Sequence, residues 1–368
     1  MNLRIGEKIR ELRQIKNVTQ EELAAYLGLS PQAISKWENG FSLPDVTLLP
    51  SLANFFEVTT DTLFGLTDQK QNERVELVLK EYQANFAQGL IEENENLLKK
   101  TLKEFPNDFR LISKLCYTLL NKYTGKNQLD LLDEIIAKAS LILRDCTDDK
   151  LRYSAIQILA MTYNFRGEKE KAKEIVNKLP SNPITRNDLL VHILEGEEKL
   201  AQMQQNMLSN LDMICSDLQV LSQHQRKQGH YHDALYHLEV IEKLYQVMFE
   251  NGDYNFYHIR LAQLFFNMAE LKMQLGLYDK ALADLMISAN HALSSDKLPP
   301  ISRYNSRNFN LLKHDESKTY KNYQQTEGEI ILLQLEHKQF DPIRNKPEFE
   351  KLQNFLSQKN DSEDRMKK

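Results

Sequence analysis

Four polar side chains between positions 32 and 39 are of the types that hydrogen-bond to nucleic-acid bases and phosphates. Amide groups read adenine edges, and cations bind guanine or phosphate. At about 100° per residue, these four lie on one side of a helix, and Ile34 and Trp37 lie on the other. The pattern predicts a helix that buries its apolar side and offers a polar, partly cationic side to a major groove. The four residues are Gln32, Ser35, Lys36 and Asn39.

Boundary signals around this segment predict two short helices joined by a tight turn. A Thr-x-x-Glu pattern forms a capping box at a helix start, and glycine accepts the positive φ of a turn. Serine before proline is typical of an N-cap followed by the first helical position. A glycine just past the last helical turn closes a helix. In chain order, the signals are Thr19 with Glu22, Gly28, Ser30 with Pro31, and Gly40.

The spacing of apolar residues separates two interpretations of this helix pair. In an ordinary helical hairpin, the outer polar residues are merely solvated. Here the small Ala24, the turn glycine and the apolar positions agree with a helix-turn-helix motif that binds DNA. Those apolar positions are Leu23, Leu27, Leu29, Ile34 and Trp37.

Residues 1–66 resemble the helix-turn-helix domain of the Cro and phage-repressor superfamily, the XRE family. The resemblance covers the whole domain, including its last segment, LPDVTLLPSLANFFEVTTDTLFG. It implies a compact module of five helices. These helices are expected at Ile5–Lys16, Thr19–Leu27, Ser30–Asn39, Val46–Phe56 and Thr60–Phe64.

The same resemblance implies roles for individual side chains. In this family the start of the second helix touches the DNA backbone, early outer positions of the third helix read bases, and the end of that helix holds phosphate. Pro31 departs from the family, because several relatives carry a base-contacting polar side chain there. On this sequence the backbone contact falls to Gln20, base reading to Gln32, Ser35 and Lys36, and phosphate binding to Asn39, with Ser30 at the helix start as a further DNA-binding candidate.

The charge balance argues against a nonspecific nucleic-acid coat. The chain has 368 residues, of which 47 are basic and 52 acidic, and its formal net charge is −5. Residues 1–66 contain six basic and eight acidic residues, a net charge of −2. Broad nonspecific binding requires widespread positive charge. A sequence-reading homodimer is compatible with this balance.

Cysteine spacing and hydropathy predict a cytoplasmic protein without disulfides, metal or cofactor. Cys116, Cys146 and Cys215 share no C-x-x-C spacing, and isolated cysteines suit a reducing compartment. No apolar run approaches the ~20 residues of a membrane span. Four histidines lie close together, but two of them straddle a predicted repeat turn, which favours exposed histidines over a metal site. They are His224, His230, His232 and His237.

From about residue 74 the chain repeats a helical pattern. A small residue, a glycine seven positions later and an alanine five positions after that predict antiparallel helix hairpins stacked on their neighbours. The pattern resembles tetratricopeptide repeats, although its glycines lie 62 and 47 residues apart instead of ~34. A generic helical bundle is the alternative. The copies are Ala160–Gly167–Ala172, Ser222–Gly229–Ala234 and Ala269–Gly276–Ala281, with a degenerate copy from Gly89 to Pro106.

These observations predict an all-α fold in which a five-helix, repressor-type head precedes an irregular, tetratricopeptide-like α-solenoid. The expected organisation is a helix-turn-helix domain at 1–66, a polar linker at 67–73, a repeat domain at 74–356 and a disordered charged tail at 357–368.

Two segments of the repeat domain carry their own expectations. Phe340–Leu356 is expected to close the array with Phe349, Leu352 and Leu356 facing inward. Ser294–Thr326 breaks the helical period and interleaves basic with aromatic residues. It is expected to form a solvated loop with a short helix, and a segment that gates a ligand groove is the alternative.

A DNA-reading head joined to a helical array indicates a transcriptional regulator rather than an enzyme, and the chain lacks P-loop, G-x-S-x-G and H-E-x-x-H motifs. The layout resembles Gram-positive regulators that couple a repressor-type head to tetratricopeptide repeats and sense secreted peptides. The expected partners are double-stranded DNA, a second copy of the chain, and a peptide or protein effector in the repeat groove. Two alternatives stay open. One is a repressor or antitoxin-like regulator whose repeats only dimerise or hold a protein partner, and the other is an adaptor that never binds DNA.

Overall fold

The computed structural model describes residues 5–64, 66–125, 128–180, 185–319, 321 and 323–364. Residues 5–64 form the predicted five-helix head around a core that includes Ile9, Leu23, Ile34 and Leu52. A 3₁₀ turn over Val46–Leu48 replaces the first turn of the expected fourth helix. The helices of the head are α1 (Ile5–Ile15), α2 (Gln20–Leu27), α3 (Pro31–Glu38), α4 (Leu49–Phe56) and α5 (Thr60–Leu63).

The remainder of the described chain is almost entirely helical, as predicted. Its helices are α6 (Leu66–Ala87), α7 (Ile91–Glu104), α8 (Phe109–Lys122), α9 (Leu129–Asp145), α10 (Asp149–Phe165), α11 (Lys169–Val176), α12 (Arg186–Ile193), α13 (Gly196–Lys227), α14 (Tyr231–Met248), α15 (Tyr257–Gln274), α16 (Tyr278–Ser295), α17 (Glu327–Gln334) and α18 (Pro347–Asp364). No helix in the described part of the chain is both long and apolar enough to cross a membrane.

The predicted glycine turns join consecutive helices into hairpins. At one of these turns the hydroxyl of Ser222 donates to the carbonyl of Ala234 at 2.8 Å, so the small residue and the alanine of the repeat pattern meet directly. At another, Ala269 and Ala281 are both fully buried. The turn glycines adopt positive φ, with values of 71° at Gly89, 84° at Gly167, 80° at Gly229 and 72° at Gly276.

The repeat helices bury three hydrophobic cores. The first is built by α6 to α11 and includes Tyr82 and Leu115. The second is built mainly by α13 to α15 and includes Tyr245. The third joins α15 and α16 to the end of the chain, where Phe349, Leu352 and Leu356 are buried as predicted.

Two segments that were predicted to lack regular structure are helical. The expected linker 67–73 lies inside α6, which runs unbroken from Leu66 to Ala87. This helix buries Val75 and Val78 in the first core, so its polar beginning is the start of a helix that is anchored further on. The expected tail 357–368 begins inside α18, whose backbone is helical to Asp364, and residues 365–368 lie outside the described residues.

The expectation of a solvated loop with a short helix at Ser294–Thr326 holds only in part, because a 3₁₀ helix forms at Glu316–Lys318 but the segment is anchored in the core. Strand β1 (Ile301–Arg303) pairs antiparallel with β2 (Lys313–Asp315), and the chain between them buries Tyr304 and Phe309. Apolar anchoring explains the difference, because the ring of Phe309 packs 4.9 Å from the ring of Phe249 in the second core. We call residues 296–326, which connect α16 to α17, the strap.

The strap reaches back to the first repeat hairpin. The side-chain amide of Gln83 donates to the carbonyl of Ser317 at 3.0 Å, and the N–H of Lys321 donates to the carbonyl of Phe86 at 3.3 Å. Gly89 packs so closely on the backbone of Tyr323 that a methyl group on Gly89 would lie 2.5 Å from the Tyr323 carbonyl oxygen. The strap therefore joins the end of the array to the C-terminal end of α6.

The cysteines and the histidine-rich stretch were the residues considered for disulfides and for a metal site. Cys116, Cys146 and Cys215 are buried and free, and burial raises the pKa of the Cys116 thiol to about 12. Within the described residues, no group of three or more His, Cys, Asp or Glu side chains is arranged to hold a metal ion. In the histidine-rich stretch, His224 contacts Gln228, and His230 contacts Gln225.

Candidate DNA-binding surface

The turn between α2 and α3 is built by the residues that predicted it. Thr19 and Glu22 make both hydrogen bonds of the capping box at the start of α2. Gly28 ends α2 with a φ of 68°, a left-handed conformation that glycine adopts without steric cost. Pro31 occupies the first turn of α3, while the Ser30 side chain makes no capping hydrogen bond. The hydroxyl of Ser30 is therefore exposed at the start of the helix.

The two faces of α3 divide as predicted. Ile34 is fully buried and Trp37 is 6% exposed, so the apolar face packs into the core of the head. Gln32 and Lys36 are exposed on the opposite face. Positions 32 and 36 are one helical turn apart, so their side chains are neighbours on that surface.

Glycine at position 6 lets α1 pack directly on the end of α3. A methyl group on Gly6 would lie 1.8 Å from the carbonyl oxygen of Trp37, well inside the contact distance of two atoms. The backbone of α3 is thus held by close helix contact as well as by its buried side chains.

A buried carboxylate ties the three helices together. Glu38, whose side chain is 2% exposed, accepts two hydrogen bonds from the guanidinium of Arg13, at 2.6 and 3.0 Å. It also accepts a hydrogen bond from the side-chain amide of Gln20 at 2.8 Å. Burial by itself would raise the pKa of Glu38, but the hydrogen bonds from Arg13 and Gln20 outweigh burial and lower it. Glu38 therefore stays ionised and positions both donors.

This network gives Gln20 a role that the sequence did not indicate. Its amide nitrogen faces Glu38 across the α2–α3 interface, and its side chain is half-buried. An amide nitrogen carries two hydrogens, so one can bind Glu38 while the second is directed elsewhere. Gln20 thus braces α3, and a contact with DNA would use the remaining hydrogen.

The polar residues at the end of α3 interact with one another. The side-chain amide of Asn39 donates to the carbonyl of Ser35 at 2.8 Å and contacts the Ser35 hydroxyl at 3.3 Å. Asn39 is exposed and Ser35 is half-buried. The structure therefore places Gln32, Ser35, Lys36 and Asn39 along one side of α3, with Asn39 folded back over the last turn.

Ion pairs with glutamates take up part of the positive charge of the head. Lys8, Arg13 and Lys16 are each ion-paired with a glutamate. Within residues 5–64, the exposed cations outside these pairs are Arg10 and Lys36. Lys36 is therefore the cation that α3 itself offers to a polyanion.

Sequence reasoning missed three residues that support this surface. Glu38 lies four positions after Ile34 and so on the buried side of the helix, which was a signal for a buried partner. Gly6, an isolated glycine inside a helix, was a signal for close packing. No local signal marks Arg13 as the partner of Glu38, because 25 positions separate them.

Comparisons with known proteins agree with this geometry. The helix-turn-helix family model matches residues 9–63. The transcriptional repressor RstR of the cryptic phage CTXφ of Vibrio cholerae is 31% identical over 81 residues, which cover 22% of this chain and 72% of RstR. The chain belongs to the helix-turn-helix family of DNA-binding transcriptional regulators. Transcription regulators of this family are not a class of enzymes.

Another member of the helix-turn-helix family matches the head more strongly and over a smaller share of its own length. The transcriptional activator BcrR of Enterococcus faecalis is 46% identical over 63 residues, or 17% of this chain. The match spans only 31% of BcrR.

A solved structure resembles the chain over a longer stretch. It is Bacillus thuringiensis PlcR in complex with the peptide PapR7 and DNA, with 13% identity and coverage of 78% of this chain and 95% of that chain. The TM-score is 0.32, a similarity too low to support a conclusion about this chain.

Proposed function

We propose that the chain regulates transcription by inserting α3 into the major groove of an operator. The observation that carries this proposal is the exposure of Gln32 and Lys36 on a helix whose opposite face is fixed in the core. Gln32 would pair with an adenine edge, and Lys36 with guanine or phosphate. Ser35, Ser30 and Asn39 would add contacts at the two ends of the helix.

The weak charge of the head supports binding as a homodimer. A net charge of −2 over residues 1–66 supplies little nonspecific attraction to phosphates. Two heads that bind successive major-groove faces, about 34 Å apart, double the contacts with a single operator. The expected operator is therefore a pair of similar half-sites.

We infer further that the repeat region binds a peptide or protein effector near the strap. A cavity of about 200 Å³ lies between α15, α16 and the strap. Its wall combines apolar and charged side chains, an arrangement that can hold an apolar group and orient a polar one. The lining includes Phe256, Leu298, His314, Lys321 and Glu327.

The position of this cavity supports a route from effector to DNA. Lys321 lines the cavity, and its backbone N–H holds α6 through Phe86. The other end of α6 follows directly on α5 of the head and packs against it. An effector that displaces the strap would thus shift α6 and the spacing of the two heads.

Selection of bound fragments from genomic DNA with the purified protein tests the DNA-binding part. Enrichment of fragments that share a two-part motif is the expected result, and its spacing reports the geometry of the dimer. Absence of any enriched sequence would favour the adaptor interpretation.

Candidate peptides added to the same protein test the effector part. A binding effector should raise the melting temperature and change operator affinity, because it stabilises the state that it binds. Leu298→Trp, which fills the cavity, should abolish both effects and leave operator binding intact. If no peptide or partner protein changes either measurement, the repeats serve only to associate copies of the chain.

A further inference from the structure

Helix α13 presents a row of exposed apolar side chains to solvent. It is the longest helix of the described chain, with 32 residues. Its buried side chains, among them Leu211 and Cys215, face the second core. A second set, on the flank of the helix next to this buried face, is exposed, and four of its members recur every seven residues. This heptad set, which we call the α13 row, is Leu200, Met207, Ile214 and Leu221, with exposed fractions of 54%, 38%, 51% and 46%.

Neighbouring side chains widen the row. Met203 at 41%, Met213 at 67% and Val220 at 61% exposed lie beside it on the same side of α13. On the preceding helix α12, Ile193 is 71% exposed. A seven-residue repeat of apolar side chains is the pattern that pairs one helix with another. Large exposed apolar patches of this kind mark interaction sites.

Charge along α13 has the distribution of an interface. Between Lys199 and His224 the only acidic or basic residues are Asp212 and Asp217. Asp212 accepts a hydrogen bond from the Tyr257 hydroxyl at 2.9 Å and so faces the core. Depletion of charge and enrichment of methionine are typical of the buried centre of a protein–protein interface.

The ends of α13 carry opposite charges. Glu197 and Glu198 are exposed in the first turn, and Lys227 is exposed in the last. Two parallel copies of this helix would bring like charges together at both ends. Two antiparallel copies would bring the acidic start of one helix next to the basic end of the other.

We propose that the α13 row is the interface through which two copies of this chain pair, with their α13 helices antiparallel about a two-fold axis. An axis midway between residues 210 and 211 places Leu200 opposite Leu221 of the second copy. The same axis places Met207 opposite Ile214 of the second copy. The row extends over about 32 Å at 1.5 Å per residue.

This inference rests on the proposed homodimer and names its interface. A second copy suits the row because the heptad set is complementary to itself under a two-fold rotation. The surface and the charges are then satisfied together by one partner, the chain itself.

Sedimentation velocity of the full-length protein tests the interface. Met207→Glu and Ile214→Glu should each raise the dimer dissociation constant at least tenfold, because they place a carboxylate in the apolar row. Val247→Glu is the matched control, since Val247 is an apolar side chain on α14 that is 75% exposed and lies outside the row. It should leave the dimer unchanged.

Cross-linking tests the geometry without relying on destabilised variants. Asn210→Cys places a thiol next to the axis and should give a disulfide-linked dimer under mild oxidation. Met203→Cys lies about 22 Å along the helix from its own symmetry mate and should not. Charge reversal tests whether the two helices are antiparallel. The double variant Glu197→Lys with Glu198→Lys should weaken the dimer, and adding Lys227→Glu to the same chain should restore it.

The outcomes separate this inference from the proposed function. A wild-type dimer that is unaffected by Met207→Glu and Ile214→Glu, or a wild-type monomer that still binds its operator, would overturn the α13 interface while DNA reading stands. Loss of dimerisation in these two variants, with the Asn210→Cys cross-link formed, supports it. A protein that dimerises through α13 and never binds DNA would contradict the proposed function alone.

Discussion

The guanidinium of Arg13 on α1 makes two hydrogen bonds with the carboxylate of Glu38 at the end of α3. The pair is almost enclosed, with exposed fractions of 15% for the Arg13 side chain and 2% for that of Glu38. Because Gln20 donates to the same carboxylate, one buried charge fixes the position of α3 relative to both preceding helices.

Glu38→Gln should lower the free energy of unfolding of the head by about 3 kcal/mol, since it leaves Arg13 without its charged partner in a buried place. The chain has one tryptophan, Trp37, so urea unfolding followed by its fluorescence reports on the head of the intact protein. Glu57→Gln is the control, because Glu57 pairs with Lys16 at an exposed site and its substitution should leave stability almost unchanged. Equal effects of the two variants would contradict the role assigned to Glu38.

Gly6→Ala should separate α1 from α3. The new methyl group would meet the Trp37 carbonyl at 1.8 Å, and relief of that overlap should cost about 3 kcal/mol or more. Gly40→Ala is the matched control: Gly40 has a φ of 73° but no neighbour within 4 Å, so its substitution should cost only about 1 kcal/mol. Trp37 fluorescence in urea measures both, and a Gly6→Ala head as stable as the wild type would show that the helices do not pack this closely.

Gly89→Ala should loosen the strap from α6. Gly89 and Gly229 both lie at the turns of repeat hairpins and have positive φ. A methyl group at Gly89 would lie 2.5 Å from the carbonyl oxygen of Tyr323, whereas one at Gly229 would have no neighbour within 4 Å. Hydrogen exchange of the Lys321 N–H should therefore accelerate in Gly89→Ala and stay unchanged in Gly229→Ala. Unchanged exchange in both variants would mean that the strap is held by other contacts.

The stability of the repeat region should fall in mild acid. His258 and His291 share a hydrogen bond of 2.8 Å between their Nδ1 atoms. Burial lowers the pKa of both, and with the neighbouring charge of His258 it brings the pKa of His291 to about 4. Below the ordinary histidine pKa of about 6.5, the unfolded chain therefore binds protons that the folded chain does not.

The stability that these two neutral histidines contribute is thus fully present at neutral pH and is lost as the pH falls from about 6.5 towards 4. Between pH 7.5 and 5.5 the free energy of unfolding should drop by about 1 kcal/mol through His291, and His258 should act in the same direction. Thermal melts of His291→Phe should show a smaller pH dependence than the wild type, while His232→Phe, at an exposed position, should match the wild type. A wild-type melting temperature independent of pH over this range would contradict the assignment.

The sequence predicted what depends on neighbouring residues and missed what depends on distant ones. The Thr19–Glu22 capping box, the turn at Gly28 and the buried face of α3 follow from positions a few residues apart. The hydrogen bond between Gln83 and Ser317 spans 234 positions, so no local pattern could place the strap on α6.

Polar composition misled the prediction in two places. The stretch 67–73 has no apolar period, yet it is the beginning of a helix that is held in place by Val75 and Val78. The strap is rich in polar and basic residues, yet two aromatic side chains, Tyr304 and Phe309, bury themselves and order it. In both cases a few apolar residues outside or within the polar stretch determine the structure.

The central claim is that α3 reads DNA through Gln32 and Lys36. Fluorescence anisotropy on an operator obtained by fragment selection tests it most directly, with Gln32→Ala and Lys36→Ala compared with two exposed controls, Gln14→Ala and Lys103→Ala. Each substitution on α3 should weaken operator binding by about 1–3 kcal/mol and relax the preference for particular bases, whereas the controls should bind like the wild type. Equal operator affinity and equal base preference in all four variants would contradict the account.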